Sequence, residues 1–198
     1  MSNHVTMNRT IKIIALGWIL LLALLLVLTS CGDSPQTKDT KEVAEDHNDA
    51  KFASNDAEND AQYLVDAYSI GIYELEASQH AKQKAASNNV KTLASEMVEA
   101  HAKMNVSLKS LADKKQVSVP VKLTDDQMKE IKDCSDKKGA EYDKAYIEKI
   151  VSDHEKAIKL SEAAAEKAHD PEIRNLFSSS LPALRHHLEM AMAIKDKM

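Results

Sequence analysis

VKTLASEMVEAHAKMNVSLKSL, residues 90–111, decides the fold. Val90, Leu93, Ala94, Met97, His101, Met104, Leu108 and Leu111 recur at steps of three and four, which places them on one face of an α-helix. A single helix cannot bury such a stripe by itself, so the chain must supply others to pack against it.

It supplies three. Upstream, a helix over about residues 57–86 carries Ala67, Ile70, Glu74, Ala77 and Ala81 inward. The polar triplet Ser87-Asn88-Asn89 breaks it and offers a cap to the next helix. Downstream, residues 140–168 form a third stripe through Ile147, Ile150, Val151, His154, Ile158 and Ser161. Asp170-Pro171 is a cap followed by proline at the first helical position, and opens a fourth helix that runs to about Lys195. Its inward face holds Ile173, Phe177, Leu184, His187 and Ala191, and Pro182 should kink it. Between the second and third helices, residues 117–123 alternate around Pro120 as an extended crossover. A short helix capped by Thr124 and ended by Gly139 follows. Four long helices with short connections predict an all-α, antiparallel four-helix bundle with one short extra helix on the crossover.

Composition agrees. Only four glycines and four prolines occur in 198 residues, and aromatic residues make up 4%. The chain is poor in turn formers and rich in helix formers. There is no Gly-rich phosphate loop, Gly-x-Ser-x-Gly elbow or Cys-x-x-Cys pair. The formal charge is −5, and −7 once residues 1–30, with Arg9 and Lys12 and no acid, are set aside. A mildly acidic domain with no basic cluster argues against a nucleic-acid partner.

The amino terminus reads as an export signal. Arg9 and Lys12 precede an apolar run from Ile13 to Leu28, too short for a bilayer span of about twenty residues. Leu28-Thr29-Ser30-Cys31 resembles the lipobox of bacterial lipoproteins. The resemblance implies cleavage after residue 30, acylation of Cys31, and attachment to the periplasmic side of the inner or outer membrane through acyl chains. Residues 31–55 then read as the lipidated cysteine and a flexible polar tether, and residues 56–198 as the helical domain. With Cys31 lipidated, Cys134 is a free thiol or an intermolecular link.

From Asn55 to Ile194 the chain also resembles the bacterial domain-of-unknown-function family 4142, classed as ferritin-like. The resemblance rests on Glu74-Leu75-Glu76, Met97-Val98 with His101 and Asn105, and residues 117–120. It continues through Tyr142-Asp143-Lys144-Ala145-Tyr146, Asp153-His154-Glu155, Asp170-Pro171, Leu181-Pro182 and His187-Leu188. It implies a ferritin-like bundle and no established reaction. Ala100 stands where the family usually has an acid beside the histidine.

His101, His154 and His187 each interrupt an apolar stripe on a different helix, and Glu74 interrupts the remaining one. All four sit near mid-helix, so an antiparallel bundle brings them to one layer. Such a cluster is either a hydrogen-bonded core network or a site for a transition metal, with zinc, copper or iron suited to the donors. Met97 and Met104 flank His101 and serve as core filler or as soft donors. None of these three histidines has the Glu-x-x-His spacing of carboxylate-bridged di-iron proteins, since Val98, Val151 and Leu184 stand three before them. The expectation is a membrane-tethered envelope lipoprotein whose bundle is a non-enzymatic binding module, possessing no catalytic triad; the alternative is a metalloenzyme using Glu74, His101, His154 and His187.

Overall fold

A computed structural model describes residues 38–198, and among them every regular element is helical. The leader, the lipobox and Cys31 lie outside the described residues. The helices are α1 (Thr40–Lys51), α2 (Asn55–Lys84), α3 (Asn88–Lys115), α4 (Asp125–Ser135), α5 (Ala140–Lys167) and α6 (Pro171–Lys195). No helix of the described residues is long and apolar enough to cross a membrane.

The four long helices form two hairpins. Three residues connect α2 to α3, and three connect α5 to α6, so each pair must run antiparallel. The hairpins pack α2 on α5 and α3 on α6. The apolar stripes meet in two separate clusters. One gathers Ala81, Val90, Leu93, Met97, Tyr142 and Ile150. The other gathers Leu64, Val65, Leu108, Ala112, Ile173 and Phe177. Every long helix passes from one cluster to the other, and it does so at its polar stripe residue.

The helix ends follow local chemistry. Ser54 caps α2, Thr124 and Gln127 form a reciprocal capping box on α4, and Asp170 caps α6 ahead of Pro171. Helix α6 continues through Pro182 to Lys195. Two expectations are corrected. Residues 31–55 are not a flexible tether throughout, because Thr40–Lys51 is helical. Asp39 caps this helix, and the Asn48 amide exchanges two hydrogen bonds with the Ser118 backbone, at 2.9 Å and 2.8 Å. Gly139 does not end α4, which stops at Ser135. Its φ of +57° turns the chain into α5.

The connector caps come from across the molecule. Ser87 makes no side-chain cap. Instead the Asp143 carboxylate, on α5, accepts from the Ala86 and Ser87 amides at 2.9 Å and 2.7 Å. Asp60, on α2, accepts in the same way from the His169 and Asp170 amides at 2.8 Å and 2.7 Å. Each hairpin thus clasps the connector of the other. Asp60 and Asp143 stand 83 positions apart, as do Ala85 and Ala168, whose φ/ψ values are −57°/142° and −59°/137°. The two hairpins are equivalent halves related by that offset.

Replacing Asp143 or Asp60 by alanine should lower the unfolding free energy by about 2 kcal/mol each, since two charge-assisted bonds to backbone amides are lost. Urea titration at neutral pH measures this, and a loss under about 0.5 kcal/mol, the level of an ordinary surface change, would refute the clasp.

Candidate metal centre

Glu74 on α2, His101 on α3, His154 on α5 and His187 on α6 occupy one layer between the two apolar clusters. Glu74 and His154 are fully buried, and His101 and His187 are 5% exposed. The expected convergence holds. One nitrogen from each of the three imidazoles lies within 4.8 Å of those of the other two.

Glu74 stands on a different side of the trio. Its Oε1 is 2.9 Å from His154 Nδ1, while His154 Nε2 faces His187 Nδ1 at 3.4 Å. The carboxylate and His187 therefore address opposite nitrogens of the same ring. Glu74 Oε2 lies 3.3 Å from His101 Nε2. His154 Nδ1 also donates to the Ile150 carbonyl at 3.2 Å, which fixes its proton on Nδ1 and leaves a lone pair on Nε2. The structure thus separates the four expected ligands into three convergent imidazoles and one carboxylate behind them.

The layer is not closed by its own hydrogen bonds. Glu74 Oε1 and Oε2 each lie at contact distance from an imidazole nitrogen, of His154 and His101 respectively, whereas His101 Nδ1 is buried with no partner among the described residues. Buried polar atoms are almost always satisfied, so the unpartnered His101 Nδ1 leaves a place for a further ligand. A metal fits the donor set. Bonds of about 2.0–2.1 Å in a tetrahedron set neighbouring donors about 3.3 Å apart, close to the separation of His154 Nε2 and His187 Nδ1.

Electrostatics pushes two of the three imidazoles toward the neutral form. Burial alone would raise the Glu74 pKa, but the surrounding imidazoles outweigh it and hold the carboxyl below its ordinary range. Burial lowers His154, yet Glu74 at contact distance reverses this and raises it. Burial lowers His101. Burial, with the neighbouring histidines, pushes His187 down to about 4. Near neutral pH, His101 and His187 are uncharged, as metal ligands must be.

Sequence reasoning missed two neighbours. Asn105, one turn from His101, is buried with both amide atoms lacking a partner. Gly71, one turn before Glu74, lies directly beneath it, and a Cβ there would stand 2.0 Å from Asn105 Oδ1. The spacing from His101 and Glu74 was the available signal. Cys134 is half-buried with its pKa raised by burial and lies outside this layer. His186, expected on the outer face, is exposed beside Glu96.

The family model described as "Domain of unknown function (DUF4142)" matches residues 43–194. The chain belongs to this family. The match begins within α1, so the helix that replaces most of the expected tether lies inside the DUF4142 region. A crystal structure of a DUF305 fragment from Deinococcus radiodurans shares the fold, with a TM-score of 0.63 at 9% identity. That likeness covers 74% of this chain and 99% of the fragment. No curated protein matches the DUF4142 chain.

The depressed pKa of His187 has a definite sign in stability. The unfolded chain takes up its proton near the ordinary imidazole value of 6.5, whereas the folded chain waits until about 4. The contribution is therefore present above about pH 6.5 and is lost as pH falls toward 4. In metal-free protein His187→Gln should flatten the acid limb of the stability profile by roughly 3 kcal/mol at most. Urea titrations across that range test this, and an unchanged acid limb would refute it.

Proposed function

We propose that this protein is a cell-envelope lipoprotein whose ferritin-like four-helix bundle binds a transition metal through His101, His154 and His187. The observation that carries the reading is the convergence of three buried imidazoles within 4.8 Å of one another. Glu74 is the supporting carboxylate. It holds the His154 proton on Nδ1 and turns Nε2 toward the metal, and it offsets the metal's charge in a low-dielectric interior. Three nitrogen donors at these spacings suit zinc, copper or iron. Met97 belongs to the apolar cluster beside the layer, which makes it core filler. The protein acts as a binding module, tethered by acyl chains on Cys31 and facing the periplasm.

Two experiments test this reading. Full-length protein without a histidine tag should gain thermal stability from added zinc or copper near neutral pH. It should lose that gain in mild acid, where the imidazoles take up protons instead. His187→Gln should abolish the shift and His186→Gln should keep it; a shift that survives H187Q refutes the site. In cells fed a fatty-acid analogue, Cys31→Ser should abolish labelling of the protein, and continued labelling would refute the anchor.

A further inference from the structure

The buried layer holds a single negative charge. Glu74 is the only acid among its four polar side chains, and it is fully buried. Asp153, next to His154 in sequence, is already balanced. It and Glu130 share Lys149, at 3.0 Å and 2.8 Å, and Lys156 lies 3.7 Å from Asp153. The second set of equivalent positions adds nothing. The residues 83 away from Glu74, His101, His154 and His187 are Ala157, Leu184, Gly71 and Met104, none of them ionisable. All four line a cavity of about 40 Å³ beside the layer, whose only ionisable lining residues are Glu74 and His101.

The carboxylate that carries this charge is itself engaged. Its Oε1 lies 2.9 Å from His154 Nδ1 and its Oε2 lies 3.3 Å from His101 Nε2. With an imidazole nitrogen against each oxygen, Glu74 balances a cation from behind the rings and does not coordinate it. The donors left are ring nitrogens. His101 Nδ1 has no partner among the described residues, and His154 Nε2 faces His187 Nδ1 at 3.4 Å. All three are neutral ligands.

We propose, resting on the metal reading above, that the ion this layer takes is monovalent copper, held by the three imidazoles alone. Charge decides against divalent ions. One carboxylate cancels a charge of +1, whereas +2 leaves a full unit uncompensated between two apolar clusters, where the low dielectric makes it costly. Donor type decides against sodium and potassium, because hard cations take oxygen ligands and imidazole suits the later transition metals. Donor number agrees. Copper(I) is complete with three ligands, whereas zinc calls for a fourth, which would have to come from outside the chain.

The test uses full-length protein without a histidine tag, kept free of oxygen. Copper(I), supplied as its acetonitrile complex and measured against the coloured chelator bicinchoninate, should bind one-to-one. It should stay bound against about a hundredfold excess of zinc, less than the penalty of an uncompensated buried charge. Silver(I), which has the same charge and filled d shell, should compete with it. Cys134→Ser should keep the copper(I) and H187Q should lose it, with His101→Gln in its place if H187Q does not fold. Displacement of copper(I) by zinc, its loss in C134S, or its retention by the histidine variant overturns this proposal alone. Failure to bind copper, silver or zinc overturns the metal reading as well.

Discussion

A carboxylate buried among three imidazoles, with hydrocarbon above and below, is the constraint around which this molecule is organised. Moving a carboxylate out of water costs several kcal/mol even after relaxation, and that cost is met only by opposite charge or coordination at contact distance. Each of the four long helices must therefore place one polar residue at the same height. The apolar stripe of each helix is interrupted there, and the core becomes two clusters rather than one. The helix lengths and the short connectors serve that registration, because a slip of one turn moves a side chain by about 5.4 Å and would drive Glu74 into hydrocarbon.

The two hairpins meet this constraint unequally. They share their offset, their connector geometry and their reciprocal aspartates, yet only one of each equivalent pair in the central layer is polar. Filling every equivalent position with ionisable groups would bury twice the charge with no additional partner. Filling none would leave an ordinary apolar bundle. The arrangement present concentrates the polar atoms on one side and leaves a small, mostly apolar space on the other, with Gly71 in its wall and in close contact with Asn105.

Much of this was legible in the sequence because it is periodic. The stripe through Val90 and Leu108, the Asp170-Pro171 start and the four interruptions at Glu74, His101, His154 and His187 all follow from spacing along single helices. What was not legible depends on partners distant in the chain. Helix α1 is polar nearly throughout, and Asn48 is buried only because the Ser118 backbone reaches it from 70 residues away. Asp143 looks like one more surface acid until the Ala86 and Ser87 amides are placed beside it. The split of Glu74 from the convergent imidazoles depends on which ring nitrogen faces which neighbour, and helical spacing carries no such information. The equivalence of the halves stayed hidden because the residues that differ between them are the ones that matter most to the centre.

The exchanged clasps between the hairpins bear on how the chain reaches this state. Each hairpin can zip up from its own short connector, using contacts between neighbouring segments that form in microseconds. The Ala86, Ser87, His169 and Asp170 amides, however, meet their carboxylates only when the opposite hairpin has docked, because Asp143 and Asp60 are carried there. Docking therefore closes both ends of the molecule in one event, and it is the same event that brings the imidazoles of different hairpins together. Assembly of the centre and closure of both connectors thus coincide in the docking of one hairpin on the other.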